Sequence, residues 1–110
     1  MIRVLVAVAP KMYRQTITDF LRRSRPDIEV RSADPKGLER ECALFEPHLL
    51  LCHDGTAEGV RNRALFLIEI HFSNGLDAVV KANGKDPRRV EDIEIDDLLT
   101  IVEEAEKTVA

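Results

Sequence analysis

The apolar positions at the start of this chain are interrupted at Arg3 alone. Ile2-Arg3-Val4-Leu5-Val6-Ala7-Val8-Ala9 is apolar on both faces, which predicts a central parallel strand over 2–9. The period then changes. Tyr13, Ile17, Phe20, Leu21 and Ser24 recur at helical spacing, with Arg14, Arg22, Arg23 and Arg25 facing outward. This predicts a helix over 11–25, opened by Pro10 and closed by Pro26. Residues 28–32 alternate apolar and charged, as an edge strand with one wet face does. Asp34-Pro35 offers a cap followed by proline at the first helical position. Leu38, Cys42 and Phe45 then form the buried stripe of a second helix, which Pro47 stops. Residues 49–53 are once more apolar throughout, and so read as a second central strand.

Beyond residue 53 the plan changes. Thr56 offers a cap for a short helix over 57–63, and residues 65–72 read as a fourth strand. Asn74-Gly75 between apolar runs is a strong hairpin signal, so residues 76–82 should return antiparallel to the fourth strand. A second turn cluster at 83–87 leads to a sixth strand over 88–93. A last helix over 94–108 buries Ile95, Leu98, Leu99, Val102 and Ala105, with Asp96 and Asp97 at the positive end of its dipole. The pattern therefore predicts one α/β domain spanning 1–110. Its core is a three-stranded parallel βαβαβ unit in the order 2-1-3, with helices on both faces and an antiparallel β-meander after it.

Composition narrows the possibilities. A chain of 110 residues, 45% hydrophobic and 33% charged, has enough apolar surface for a core without metal or disulfide staples. Cys42 and Cys52 each fall in an apolar pattern, as buried reduced thiols do. The longest apolar run is about eight residues, against the ~20 that a membrane span needs. Met1 leads straight into a strand without a signal-peptide pattern, so a cytoplasmic location is expected.

The net charge of -4 is unevenly distributed. Residues 1–31 carry seven basic side chains against three acidic ones, while residues 91–110 carry eight acidic ones against Lys107. This asymmetry marks Arg22, Arg23, Arg25, Glu103, Glu104 and Glu106 as a candidate interaction surface, used for a protein partner or a homodimer. Nucleic acid is not an expected partner, because the chain is acidic overall and lacks an aromatic–basic platform.

Three phrases carry a family resemblance: Arg3-Val4-Leu5-Val6-Ala7 leading to Tyr13-Arg14, then Arg25-Pro26-Asp27-Ile28-Glu29-Val30, then Phe45-Glu46-Pro47-His48-Leu49-Leu50-Leu51. Over roughly residues 2–54 the chain resembles the receiver domains of bacterial response regulators, which are flavodoxin-like. That resemblance implies a magnesium-binding acidic pair at the end of the first strand and a phospho-accepting aspartate at the end of the third. Val8 and Ala9 stand at the first place and His53 at the second, with Asp54 one residue late. Lys81 is the nearest candidate for the family's lysine. Aspartyl phosphorylation needs several hard oxygen ligands around one ion. The chain lacks them at the matching places, so the resemblance implies a non-catalytic regulatory domain with no cofactor.

An alternative is a small-molecule or metal-binding sensor. Ligands bind outside the carboxyl ends of parallel strands in open α/β sheets, and that rim would hold Pro10, Asp34, His53, Asp54 and Thr56. His53, Asp54 and His71 could be imagined as a metal or acid/base site. No Cys52/His53 dyad is expected, because adjacent side chains on a strand diverge. The loop at 8–11 has no glycine for a nucleotide phosphate, whereas 53–59 has two near a predicted helix start.

Overall fold

A computed structural model describes residues 2–53, 64–71, 77–82 and 86–109. In chain order the elements are β1 (Arg3–Val6), α1 (Lys11–Ser24), β2 (Glu29–Ser32), α2 (Leu38–Phe45), β3 (Leu49–His53), β4 (Phe66–His71), β5 (Asp77–Ala82), β6 (Arg88–Val90) and α3 (Ile95–Val109). The strands form one mixed sheet in the order β2-β1-β3-β4-β5-β6. β1 and β3, apolar on both faces, take interior places, and the alternating β2 lies at an edge.

The parallel part of the sheet is larger than the pattern predicts. β4 pairs in parallel with β3, with Leu51 opposite Ile68 and His53 opposite Ile70. Four strands are therefore parallel rather than three. The physical reason lies in Phe66, Leu67 and Ile68, all buried, which makes β4 an interior strand covered on both faces. β4, β5 and β6 are antiparallel, as the turn signals predict. The Asn74-Gly75 turn and residues 83–85 lie outside the described residues, as do Asp54, Thr56 and the predicted helix over 57–63.

Side-chain alternation sorts the core into two layers. Val4, Val6, Leu49, Leu51, Ile68, Ile70 and Val80 face α1 and α3. Leu5, Ala7, Leu50, Cys52 and Leu67 face α2. Both cysteines are buried in this second layer as thiols.

Several local expectations change. Pro10 is the N-cap of α1 rather than its first residue, with extended backbone at φ -74 and ψ 170. After Asp34 the chain makes a 3₁₀ turn over Pro35–Gly37, and the α-helix begins only at Leu38. The Asp34 carboxylate accepts from the Lys36 N–H at 2.9 Å, and the Gly37 N–H donates to the Asp34 carbonyl at 2.9 Å. That i→i+3 bond holds the tighter turn. On α1 Thr18 is buried and Ser24 is exposed. The Thr18 hydroxyl donates to the Arg14 carbonyl at 2.8 Å, so its burial leaves no donor unsatisfied. On α3 Ile101 joins the core while Leu99 is half-buried and Ile95 is exposed.

Candidate functional site

The carboxyl end of the parallel strands is held together by backbone demands. β1 ends one strand over from β3, and the Ala9 N–H has no partner in the ladder. His53 supplies one: its Nδ1 accepts from Ala9 N–H at 3.2 Å. On the preceding residue the Val8 carbonyl accepts from the Arg14 guanidinium at 3.2 Å. Val8 itself is fully buried and Pro10 is exposed. The rim between β1 and β3 is thus closed by an imidazole and a guanidinium, each satisfying main chain. Asp34 sits past the end of β2, where its carboxylate caps the 3₁₀ turn. Of the predicted rim residues, the structure places Pro10, Asp34 and His53 along this end of the sheet.

His71 does not join His53. The register sets His53 beside Ile70, so His71 projects from the opposite face. There it donates from Nε2 to the Glu69 carboxylate at 2.9 Å. Asp77, directly across from His71 on β5, accepts from Arg89 at 2.5 Å and from the Asp92 N–H at 3.1 Å. The Arg89 bond holds the Asp77 carboxyl below the usual carboxylate range. Among the described residues, no group of three or more His, Cys, Asp or Glu side chains is placed to hold a metal ion.

The charged helices do lie on the same side of the sheet, but among the described residues they share a single ion pair. Arg25 binds Glu106 at 2.6 Å and Asp27 at 2.9 Å. These two partners, Asp27 foremost, raise the Arg25 pKa further above its ordinary value. Arg22 donates instead to the Val30 carbonyl at 3.0 Å, tying α1 to β2, and Arg23 to the Asp19 carbonyl at 3.4 Å. Glu104 pairs with Arg88 of β6 at 3.3 Å, and Glu103 is exposed. Main-chain carbonyls and a nearer cation thus take side chains that the charge pattern assigns to a helix–helix contact.

His48, at the opposite end of β3, closes the ladder there in the same manner. Its Nδ1 accepts from the Arg3 N–H at 2.9 Å, while its own N–H donates to the Arg3 carbonyl at 2.9 Å. Burial, then the nearby Arg3 charge, lowers the His48 pKa below its ordinary 6.5. The unfolded chain therefore binds the proton more readily, and the stability from this contact is full above about pH 6.5. It fades as pH falls through the lower folded value. His48→Asn keeps an acceptor for Arg3 but does not titrate. Urea unfolding at pH 7 and pH 5 should show the wild type losing more stability than the variant. Equal losses would remove His48 as the source.

Two contacts have no counterpart in the pattern analysis. Arg3 reaches the carbonyls of Phe45 and Glu46 at 3.0 and 2.9 Å, satisfying the carboxyl end of α2. The signal is present in the sequence, because Arg3 is the lone charge in an otherwise apolar strand. Arg14, which reads as a solvent-facing residue, turns back to Val8 instead. No family profile matches this chain, no curated protein matches it, and no solved structure matches it.

Proposed function

We propose that this chain is a non-catalytic, receiver-like regulatory domain that acts through protein–protein contacts. One observation carries the reading. At the place where the receiver resemblance puts a magnesium-binding carboxylate pocket, the buried Val8 and the His53–Ala9 hydrogen bond occupy the space between β1 and β3. Two further features support it. Lys81 lies on an antiparallel strand opposite Leu67, three residues back from the rim position of Ile70, so it does not face the end of β3. Arg14 brings positive charge to the loop in which the resemblance implies acidic side chains.

The β2-β1-β3-β4 order of the parallel strands supports this reading, on which the antiparallel β5 and β6 replace the rest of a receiver-like sheet. Arg22 and Arg23, exposed and bonded to neutral carbonyls rather than to carboxylates, and the exposed Glu103 are then the charges offered to a partner, since Arg25, Glu104 and Glu106 form ion pairs within the chain.

The test uses NMR and sedimentation on the same sample. Beryllofluoride with magnesium should leave the amide signals of Val8, Ala9, Lys11 and His53 unchanged, and specific shifts there would overturn the non-catalytic reading. Sedimentation across salt concentrations should show association that weakens as salt rises and is lost in the Arg22→Glu, Arg23→Glu variant. A monomer under every condition would remove the homodimer and leave a different protein as partner.

A further inference from the structure

On the α1/α3 side of the sheet, near the carboxyl end of β4, the layers do not close completely. A cavity of about 210 Å³ lies there, walled by Ile17, Ile70, Ile93 and Leu98, all buried, with Tyr13, Thr16, Glu94 and Ile95 at its margin. Protein interiors rarely leave apolar voids of this size, and a void of ~150 Å³ lined by aliphatic side chains is enough to take up benzene. The walls come from three separate elements and are fixed by the main core, so the space is preformed. Tyr13 brings an aromatic ring, and burial raises the pKa of its hydroxyl above the ordinary value. Glu94 is exposed beside Ile95, and its carboxylate has no ion-pair partner among the described residues. Arg14, the nearest basic residue along α1, is turned away to the Val8 carbonyl.

We infer that this cavity binds a small amine with a single aromatic ring or a branched aliphatic body of similar size. The apolar body fills the space between Ile17, Ile70, Ile93 and Leu98. The ammonium group stays at the mouth beside the Glu94 carboxylate, where it keeps part of its hydration. The inference goes beyond the regulatory reading and stands apart from it, since the cavity residues do not include the rim residues probed by beryllofluoride.

The experiment is a ¹⁵N NMR titration of the full chain with benzylamine, benzyl alcohol and benzoate. Benzylamine should shift the amides of Ile17, Ile70, Ile93 and Leu98 saturably, with a Kd of about 1 mM for a ligand of this size. Benzyl alcohol should bind about three- to fivefold more weakly, the worth of an exposed ion pair, and benzoate more weakly still. Glu94→Gln should bring benzylamine to the level of the alcohol and leave the alcohol unchanged. Thr16→Trp, at an exposed position on the margin, should block all binding while the thermal unfolding midpoint holds. The absence of saturable shifts at those four amides would overturn the site. Benzoate binding as tightly as benzylamine, or insensitivity to Glu94→Gln, would overturn the ligand class.

Discussion

Leu50→Ala is expected to lower the unfolding free energy by about 3 kcal/mol, within the ~2–5 kcal/mol range for a buried leucine truncation. Leu50 is fully buried on β3, between Leu5 of β1 and Leu67 of β4, and under Cys42 and Phe45 of α2. The loss is large because the layer under α2 is thin. Its helix has only 8 residues, and the sheet side chains around Leu50 are fixed by the pleat, so little can collapse into the gap. For a domain of this size the unfolding midpoint should fall by about 15 °C. Leu44, on the same helix but 66% exposed, supplies the control. Leu44→Ala should change stability by less than ~0.5 kcal/mol. Urea titrations of both variants decide the matter, and equal effects would mean that the layer is not packed as described.

Ile101→Asp should have the larger effect. Ile101 is 2% exposed, on the face of α3 that joins the main core with Ile17, Leu21 and Ile68. A carboxylate there has no partner among apolar side chains, and removing its hydration costs several kcal/mol. At pH 7 the variant should lose its cooperative unfolding transition. The sign of the pH dependence is fixed. Burial raises the pKa of the new carboxyl in the folded state, so the folded state binds its proton more tightly than the unfolded chain. Stability should therefore return in part as pH falls toward the raised value. Ile101→Asn, polar but unable to titrate, should be destabilised without that recovery. Circular dichroism melts of both variants at pH 7 and pH 5 make the comparison. Recovery in both, or in neither, would refute the buried-charge account.

How much was legible in the sequence depended on whether a feature is local. The apolar runs at 2–9 and 49–53, polar only at Arg3 and His53, placed β1 and β3 in the sheet interior, because a strand covered on both faces has few positions for a polar side chain. The alternation at 28–32 placed β2 at an edge for the converse reason. Helical spacing located α1 and α3 to within a residue or two. These are one-dimensional signals, since the period of a strand or helix is written directly along the chain.

The direction of β4 was not legible, because a short apolar run pairs equally well either way until its neighbours are set. Nor were the partners of the charged side chains. Composition brought Arg22, Arg23 and Arg25 together with Glu103, Glu104 and Glu106, yet only Arg25 and Glu106 meet. Unsatisfied carbonyls compete for the same cations, and which carbonyls are within reach is settled only when α1 lies along β2. His53 follows the same logic. The sequence placed it at the end of β3, and the closeness of β1 made it the acceptor for Ala9. The cavity is the least local feature of all. Tyr13, Ile17, Ile70, Ile93 and Leu98 each read as ordinary core positions, and the space between them exists only because a helix at each end of the chain packs over β4. By itself the sequence determined the elements and their buried faces, through periodicity. The tertiary structure alone decided strand direction, charge pairing and the cavity, since each depends on distances between residues far apart in the chain.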